Sequence, residues 1–167
     1  MSYSIEHNNL EELFTGLLKA PSLNIKTTIT ELSRYKGTDW KLYLYKCIEP
    51  NDELREGKFY KFLINKTERM EMYLIIWHKG AISTIHSHPI DGCVVKLVEG
   101  DLCEDVFMNV GNNNCVFFKN TAIAVGDISN KTGNMILHRI KNNSSEIAVS
   151  IHIYMCPGFQ AEEYNSI

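Results

Sequence analysis

His86 and His88, two positions apart, and Cys93, five further on, form a compact set of metal-ligating and nucleophilic side chains. They lie in the stretch from Gly80 to Gly100, GAISTIHSHPIDGCVVKLVEG, which reads as β. In a strand the side chains at i and i+2 share a face. Two imidazoles then project to one side, about 7 Å apart along the strand by its rise per residue. That is near enough to share one metal ion once pleat and twist are allowed for. Cys93 follows His88 by five positions, and glycines at both ends suit strands that turn sharply there. A further imidazole comes from His138 in NMILHRIKN, on a strand separate in sequence from the first pair.

The elements that must position these residues change character along the chain. Near the N-terminus, Asn8 or Asn9 can cap a helix whose Leu10, Leu13, Phe14, Leu17 and Leu18 form one buried face. Pro21 ends it. A second helix is predicted over Ile25 to Lys36, with Gly37 after it. WKLYLYK (40–46) fits neither the helical nor the strand period. From Lys58 onward FYKFLIN (59–65), MYLIIW (72–77), AISTIH (81–86), GCVVKLV (92–98), DLCEDVFM (101–108), NCVFF (114–118), TAIAVG (121–126), NMILHRI (134–140) and EIAVSIHIY (146–154) all read as strands. Short strands at such regular spacing predict an all-β sandwich or barrel, with the helices packed outside it.

Composition bounds the function classes. At 167 residues, 44% hydrophobic and 22% charged, the chain reads as one soluble globular domain. A formal charge of −3 gives no basic footprint for nucleic acid. No apolar run is long enough to cross a bilayer, and MSYSIEHNNLEELF lacks the charged and apolar regions of a signal peptide. The five cysteines are odd in number and form no CxxC pair, which fits a reducing, cytoplasmic setting.

The full spacing G-x5-H-x-H-x4-C-x6-G resembles the first motif of the cupin superfamily, with Cys93 where most cupins carry a glutamate ligand. Followed by VKLVEGDL, the cysteine variant resembles the thiol dioxygenases of the cysteine dioxygenase family. The H-x3-N from His138 to Asn142 resembles the end of the second cupin motif, without its usual early glycine and proline. SIHIYMCP (150–157) places Ser150, His152 and Tyr154 on one strand face. It is similar to the S-x-H-x-Y-x-x-P stretch that forms a hydrogen-bonded relay in that family, ending at a pocket tyrosine. Trp77 sits where the family has a tryptophan. The resemblance covers about residues 58–157; the first 57 resemble the family only in having helices.

This resemblance implies a mainly β fold, a cupin jelly-roll barrel over 58–157 with a helical part over 1–50 packed outside, in a single domain of residues 1–167. It implies an iron-dependent thiol dioxygenase that oxidises L-cysteine with O2 to cysteine sulfinate and acts as a monomer. By the same resemblance His86, His88 and His138 would hold Fe(II). It gives Cys93, Ser150, His152 and Tyr154 as the catalytic surround, with His152 behind the ligands rather than among them. In animal members the pair matching Cys93 and Tyr154 is joined by a thioether. The family's substrate carboxylate is held by an arginine in a Y-x-R stretch. Here that stretch is Phe59-Tyr60-Lys61, so Lys61 takes the role, or Tyr60 if the alignment shifts by one. Arg55 and Arg69, in the flanking loops, are the substitutes for this role, ranked below Lys61.

The chemistry is coherent on its own terms. Three neutral imidazoles leave a divalent ion its full charge and three open positions, where most non-haem iron sites have two histidines and a carboxylate. Such a centre deprotonates a bound thiol at neutral pH. Iron is favoured because O2 must take electrons from the metal, which zinc does not supply. The sequence leaves other metals open, as it does two rival readings: a dioxygenase for 3-mercaptopropionate or cysteamine, or a non-catalytic cupin that binds a metal or small ligand. His7 and His78 are expected on the surface. Cys47, Cys103, Cys115 and Cys156 are expected to carry no function, and Met72, Met135 and Met155 to lie in the core.

Overall fold

The computed structural model describes residues 5–47 and 56–167. Helix α1 (Leu10–Lys19) starts at Asn9, whose side chain accepts from the Glu12 amide at 2.8 Å, while Glu12 reaches back to the Asn8 amide at 2.7 Å. Leu10, Leu13, Phe14 and Leu17 are buried as the periodicity predicts; Leu18 falls off the stripe and is 49% exposed. Helix α2 (Ile25–Arg34) opens with a capping box between Asn24 and Thr27. It stops before Lys36, because its last carbonyls are already taken. The buried Lys96 ammonium donates to Leu32 O and Tyr35 O, both at 2.8 Å. The ambiguous segment is a 3-10 helix, Asp39–Cys47.

Ten strands follow among the described residues. One sheet runs in the order β1 (Phe59–Lys66), β2 (Glu71–Trp77), β9 (Ala148–Tyr154), β4 (Cys93–Glu99), β7 (Ile128–Lys131). The other five close into a ring in the order β10 (Glu163–Ser166), β3 (Ile85–His86), β8 (Ile136–Lys141), β5 (Leu102–Gly111), β6 (Asn114–Ile123). This is the mainly β, cupin-type barrel that was expected, with α1 and α2 packed against its outside.

Alternation along the first sheet divides its labour. Met72, Leu74, Ile76, Val94, Ile151 and Ile153 face the helices and bury with Leu13 and Leu32. At about 1.5–3 kcal/mol for each fully buried aliphatic side chain, this layer anchors the helices. The opposite face carries Cys93, Ser150, His152, Tyr154 and Trp77. It packs toward the second sheet, where Ile75, Trp77 and Leu97 meet Leu102, Ile123 and Ile140. A third cluster, Ile85, Phe107, Cys115, Leu137 and Tyr164, draws on all five strands of the ring.

Several local expectations need correction. AISTIH is bent, and only Ile85–His86 pairs as a strand; Ile82 makes a single bridge to Lys141. NCVFF and the start of TAIAVG are one strand, β6, because the polar Lys119 and Asn120 between them stay paired with Val106 and Asp105 of β5. The short polar strands β7 (ISNK) and β10 (EYNS) carry no strand signal of their own and exist through their pairing with β4, β3 and β6. His7 is buried, its Nε2 at 2.7 Å from Glu31 Oε2. His78 is buried too, edge-on to the Tyr60 ring at 5.6 Å. Met135 lies in the turn just before β8 and is 70% exposed, unlike Met72 and Met155. Gly80 and Gly100 do turn the chain at both ends of the motif, with φ of +74° and +72°.

Candidate metal centre

Strands β3 and β8 pair with His86 directly opposite His138, and His88 follows β3 by two residues. The three rings converge. Nε2 of His138 lies 2.9 Å from Nε2 of His88 and 3.2 Å from Nε2 of His86, and the three ligand atoms fall within 4.8 Å of one another. The outer nitrogens of His86 and His138 decide the tautomers of those two rings. His86 Nδ1 is 2.9 Å from the Thr84 carbonyl, which only accepts, so this nitrogen carries the proton. His138 Nδ1 is 2.6 Å from Glu104 Oε1 and donates to it. Both therefore present bare Nε2 atoms to each other. Burial, with His138 alongside, pushes His86 down to about 4. Burial also lowers His88 and His138, so no imidazole holds an extra proton at neutral pH to bridge the gap. Facing lone pairs at this distance repel, and a cation between them removes the conflict. With metal–nitrogen bonds on the order of 2.0–2.1 Å, ligands at right angles lie about 3 Å apart, which matches these separations. The donor set fits a divalent transition ion.

The facing wall comes from the first sheet. Cys93 on β4 and Tyr154 on β9 are direct cross-strand partners, and their thiol and hydroxyl interact. Burial pushes the Cys93 thiol up to about 12 against the pull of Lys61, and raises the Tyr154 hydroxyl well above its usual range. Behind them Trp77 Nε1 donates to Ser150 Oγ at 2.9 Å, leaving the Ser150 hydroxyl to donate to His152 Nε2 at 2.8 Å. The His152 ring then stacks on Tyr154, centroids 6.2 Å apart and planes 14° from parallel. Lys61 comes to the same wall: its ammonium sits 4.0 Å from the Tyr73 ring centre and 4.7 Å from that of Tyr154. Burial lowers its pKa, against the influence of Cys93 and Glu71. Tyr60, one residue earlier, points to the opposite face and packs with the helix-side core, so the fold brings Lys61 and not Tyr60 to this wall. Arg69 lines a surface recess with Asp91 and Cys156. Arg55 lies outside the described residues.

The sequence profile of the family described as cysteine dioxygenase type I matches residues 19–166. The chain belongs to the cysteine dioxygenase type I family. The match reaches back through α2, well beyond the stretch from residue 58 that the motifs alone mark out. Cysteine dioxygenase type 1 of Danio rerio is 29% identical over 171 aligned positions, covering 91% of this chain and 76% of that protein. The Rattus norvegicus protein of the same name is 25% identical over 154, covering 89% and 71%. Among solved structures, an uncharacterised conserved protein from Klebsiella pneumoniae with a double-stranded β-helix domain superposes with a TM-score of 0.54 at 14% identity, covering 73% of this chain and 94% of that one. That last likeness concerns the fold alone.

Within this cysteine dioxygenase family member, sequence reasoning missed Glu104 and Lys131. Glu104 Oε1 accepts from His138 Nδ1 at 2.6 Å and from Lys131 Nζ at 2.9 Å. Burial alone would raise its pKa, but His138 and Lys131 outweigh that and bring it to about 2. A buried carboxylate on a ligating histidine fixes the ring's tautomer and raises its basicity as a donor. The available signal was an acidic pair, Glu104-Asp105, inside an otherwise apolar strand. Alternation puts Glu104 on the side of Val106, the cross-strand partner of His138. Glu104→Gln is expected to weaken metal binding by about 10–100-fold, read by chelator competition, while the circular dichroism spectrum stays unchanged.

Proposed function

We propose that this chain is an iron-dependent thiol dioxygenase that oxidises L-cysteine with O2 to cysteine sulfinate. The observation that carries the reading is a three-imidazole centre without a carboxylate ligand, faced by the Cys93–Tyr154 pair. Both oxygen atoms enter the product sulfur: RSH and O2 give RSO2H, with no other reductant. Bound iron supplies a Lewis acid for the thiolate and electrons for O2. The chain's own residues do the rest. His86, His88 and His138, all neutral, leave the ion's charge intact for an anionic sulfur. The Tyr154 hydroxyl, protonated at neutral pH, donates a hydrogen bond toward the reacting sulfur and oxygen. Ser150 and His152 fix the tyrosine ring from behind. Lys61 receives the substrate carboxylate. The reading takes the chain as one domain, a monomer working in a reducing cytoplasm; five free thiols support the compartment. Among the described residues no helix is long and apolar enough to cross a membrane.

A second reading, a dioxygenase for 3-mercaptopropionate or cysteamine, draws support from Lys61 itself. An ammonium makes a point contact where the family's arginine offers a two-pronged fork. Oxygen-electrode assays of iron-loaded protein with the three thiols, with the sulfinate identified by mass spectrometry, separate these readings. Cysteine is expected to turn over fastest, with one sulfinate per O2. Absence of oxygen uptake with every thiol would sink the dioxygenase reading. Lys61→Ala is expected to raise KM for cysteine by about 10–100-fold, the loss of one charge-assisted hydrogen bond, and to leave cysteamine turnover nearly unchanged. Equal effects on both thiols would remove Lys61 from this role.

The cross-strand pairing of Cys93 and Tyr154 also supports a thioether between them. Directly opposed strand residues hold their Cβ atoms about 4.5–5.5 Å apart. The step takes one hydrogen from sulfur and one from the ring; O2 is the oxidant and leaves as H2O2. Intact-mass measurement after turnover is expected to reveal a fraction about 2 Da lighter, missing from Cys93→Ser and Tyr154→Phe alike. If the light species persists in either variant, the bond lies elsewhere.

A further inference from the structure

Lys61 stands on the edge strand β1, and more than a third of its surface is exposed. A lysine in that setting ordinarily samples many rotamers. Here its ammonium is seated in a corner made by two aromatic rings. Tyr73 and Tyr154 meet edge to face, with centroids 5.8 Å apart and planes at 89°. The Lys61 nitrogen lies closer to the Tyr73 ring, at 4.0 Å, than to the Tyr154 ring, at 4.7 Å. Both distances are within the range of cation–π attraction.

The Tyr73 ring is itself held in place. Its hydroxyl donates to Glu71 Oε2 at 3.0 Å. The other oxygen of Glu71 accepts from Lys66 Nζ at 2.8 Å and from the Gly158 amide at 3.1 Å. Glu71 is buried, and strand register sets it beside Tyr154, as Tyr73 is set beside His152. A chain of contacts thus runs from the loop at Gly158 through Glu71 and Tyr73 to the Lys61 ammonium. Tyr154 is the proposed hydrogen-bond donor of the reaction, whereas among the described residues Tyr73 makes no hydrogen bond or ring contact with His86, His88, His138 or Cys93. Its visible partners are Lys61, Glu71 and Tyr154.

We propose that Tyr73 is a specificity-determining positioning residue: its ring, anchored by Glu71, holds the Lys61 ammonium at the mouth of the metal centre and so sets the preference for small thiols bearing a carboxylate over those without one. The inference rests on the reading of Lys61 as the carboxylate partner. A single ammonium has three N–H donors and no fixed plane, so it gains specificity only where something else fixes its position. The two rings take the place of the rigid fork that a guanidinium would bring. The anionic thiol then meets one preset donor at the mouth and the metal centre beyond it.

The test is a double-mutant cycle on the iron-loaded protein. Tyr73→Leu, Tyr73→Phe, Lys61→Ala and the Lys61→Ala/Tyr73→Leu double variant are compared. Two readouts are taken for cysteine and for cysteamine: kcat/KM in air, and Kd by anaerobic calorimetry. Tyr73→Leu is expected to weaken cysteine by about 5–30-fold, the scale of a partly desolvated cation–π contact, chiefly through KM and Kd. Cysteamine should stay within about twofold, as expected for an interaction confined to the carboxylate. Tyr73→Phe keeps the ring and should retain most of the preference. In the Lys61→Ala background, Tyr73→Leu should add nothing. The inference is overturned if Tyr73→Leu weakens both thiols equally, or if its effect is undiminished without Lys61. If Lys61→Ala itself leaves the cysteine-to-cysteamine ratio unchanged, the carboxylate reading fails first, and this inference with it. Should the leucine variant fail to fold, Tyr73→Met asks the same question with a longer apolar side chain.

Discussion

Replacing His138 with alanine is expected to strip the protein of metal and abolish thiol oxidation. The wild-type protein, expressed with iron available, should carry close to one iron per chain. His138 is the central member of the cluster, with its Nε2 within 3.2 Å of both other ligand nitrogens. Among the described residues it is also the one of the three held by a carboxylate, through Glu104. Its loss leaves two imidazoles for the ion and removes the negative charge's link to the centre. Losing a residue behind a ligand costs about 10–100-fold in affinity. Losing a ligand should cost more than about 100-fold by the same yardstick. His86→Ala and His88→Ala should behave alike. Elemental analysis of the purified variants, with circular dichroism to confirm folding, reads the result. Full metal retention in His138→Ala would defeat the assignment of the centre.

The second large effect is expected at His152, with the opposite signature. His152→Ala should lower kcat by about 100-fold or more, in the range typical for loss of a positioned proton-handling group, while metal content stays close to that of the wild type. His152 is buried, and burial holds its imidazole neutral. Its Nε2 accepts from Ser150 and is not part of the three-histidine cluster. Its ring lies flat behind Tyr154, so its removal frees the tyrosine to move away from the sulfur while leaving the three ligands in place. Iron content and kcat measured on the same preparation decide the matter. If the two fall in parallel, His152 acts on the metal and not on the tyrosine.

These two variants differ because the sequence and the tertiary structure contribute different things. The i, i+2 spacing of His86 and His88, the buried stripe of α1 and the cap at Asn9 were legible directly, because each is a local periodicity or a contact within one turn. His138 was legible from the residues as a histidine on a separate strand, and as the third ligand through its resemblance to the second cupin motif. Its position opposite His86 is a matter of β3–β8 register, which no local pattern encodes. Cys93 and Tyr154 were named as a pair by family resemblance, and the β4–β9 register makes them neighbours. The choice of Lys61 over Tyr60 follows from strand alternation once β1 is placed on the sheet, since adjacent residues must face opposite sides.

Short-range hydrophobic period and residue type were enough to read the mainly β architecture, the helical start and the histidine pair. Which charges are buried, and with whom, depended on long-range packing. Glu104 is held behind His138 with Lys131, Lys96 on the end of α2, His7 on Glu31, and Glu71 beneath Tyr73. Each of these residues reads as an ordinary surface polar group in sequence. Removing one from water is costly unless a partner of the right chemistry is already waiting. Partners such as these lie tens of residues away along the chain in most cases, so their burial depends on the packing of whole sheets and helices rather than on anything within reach of a local window.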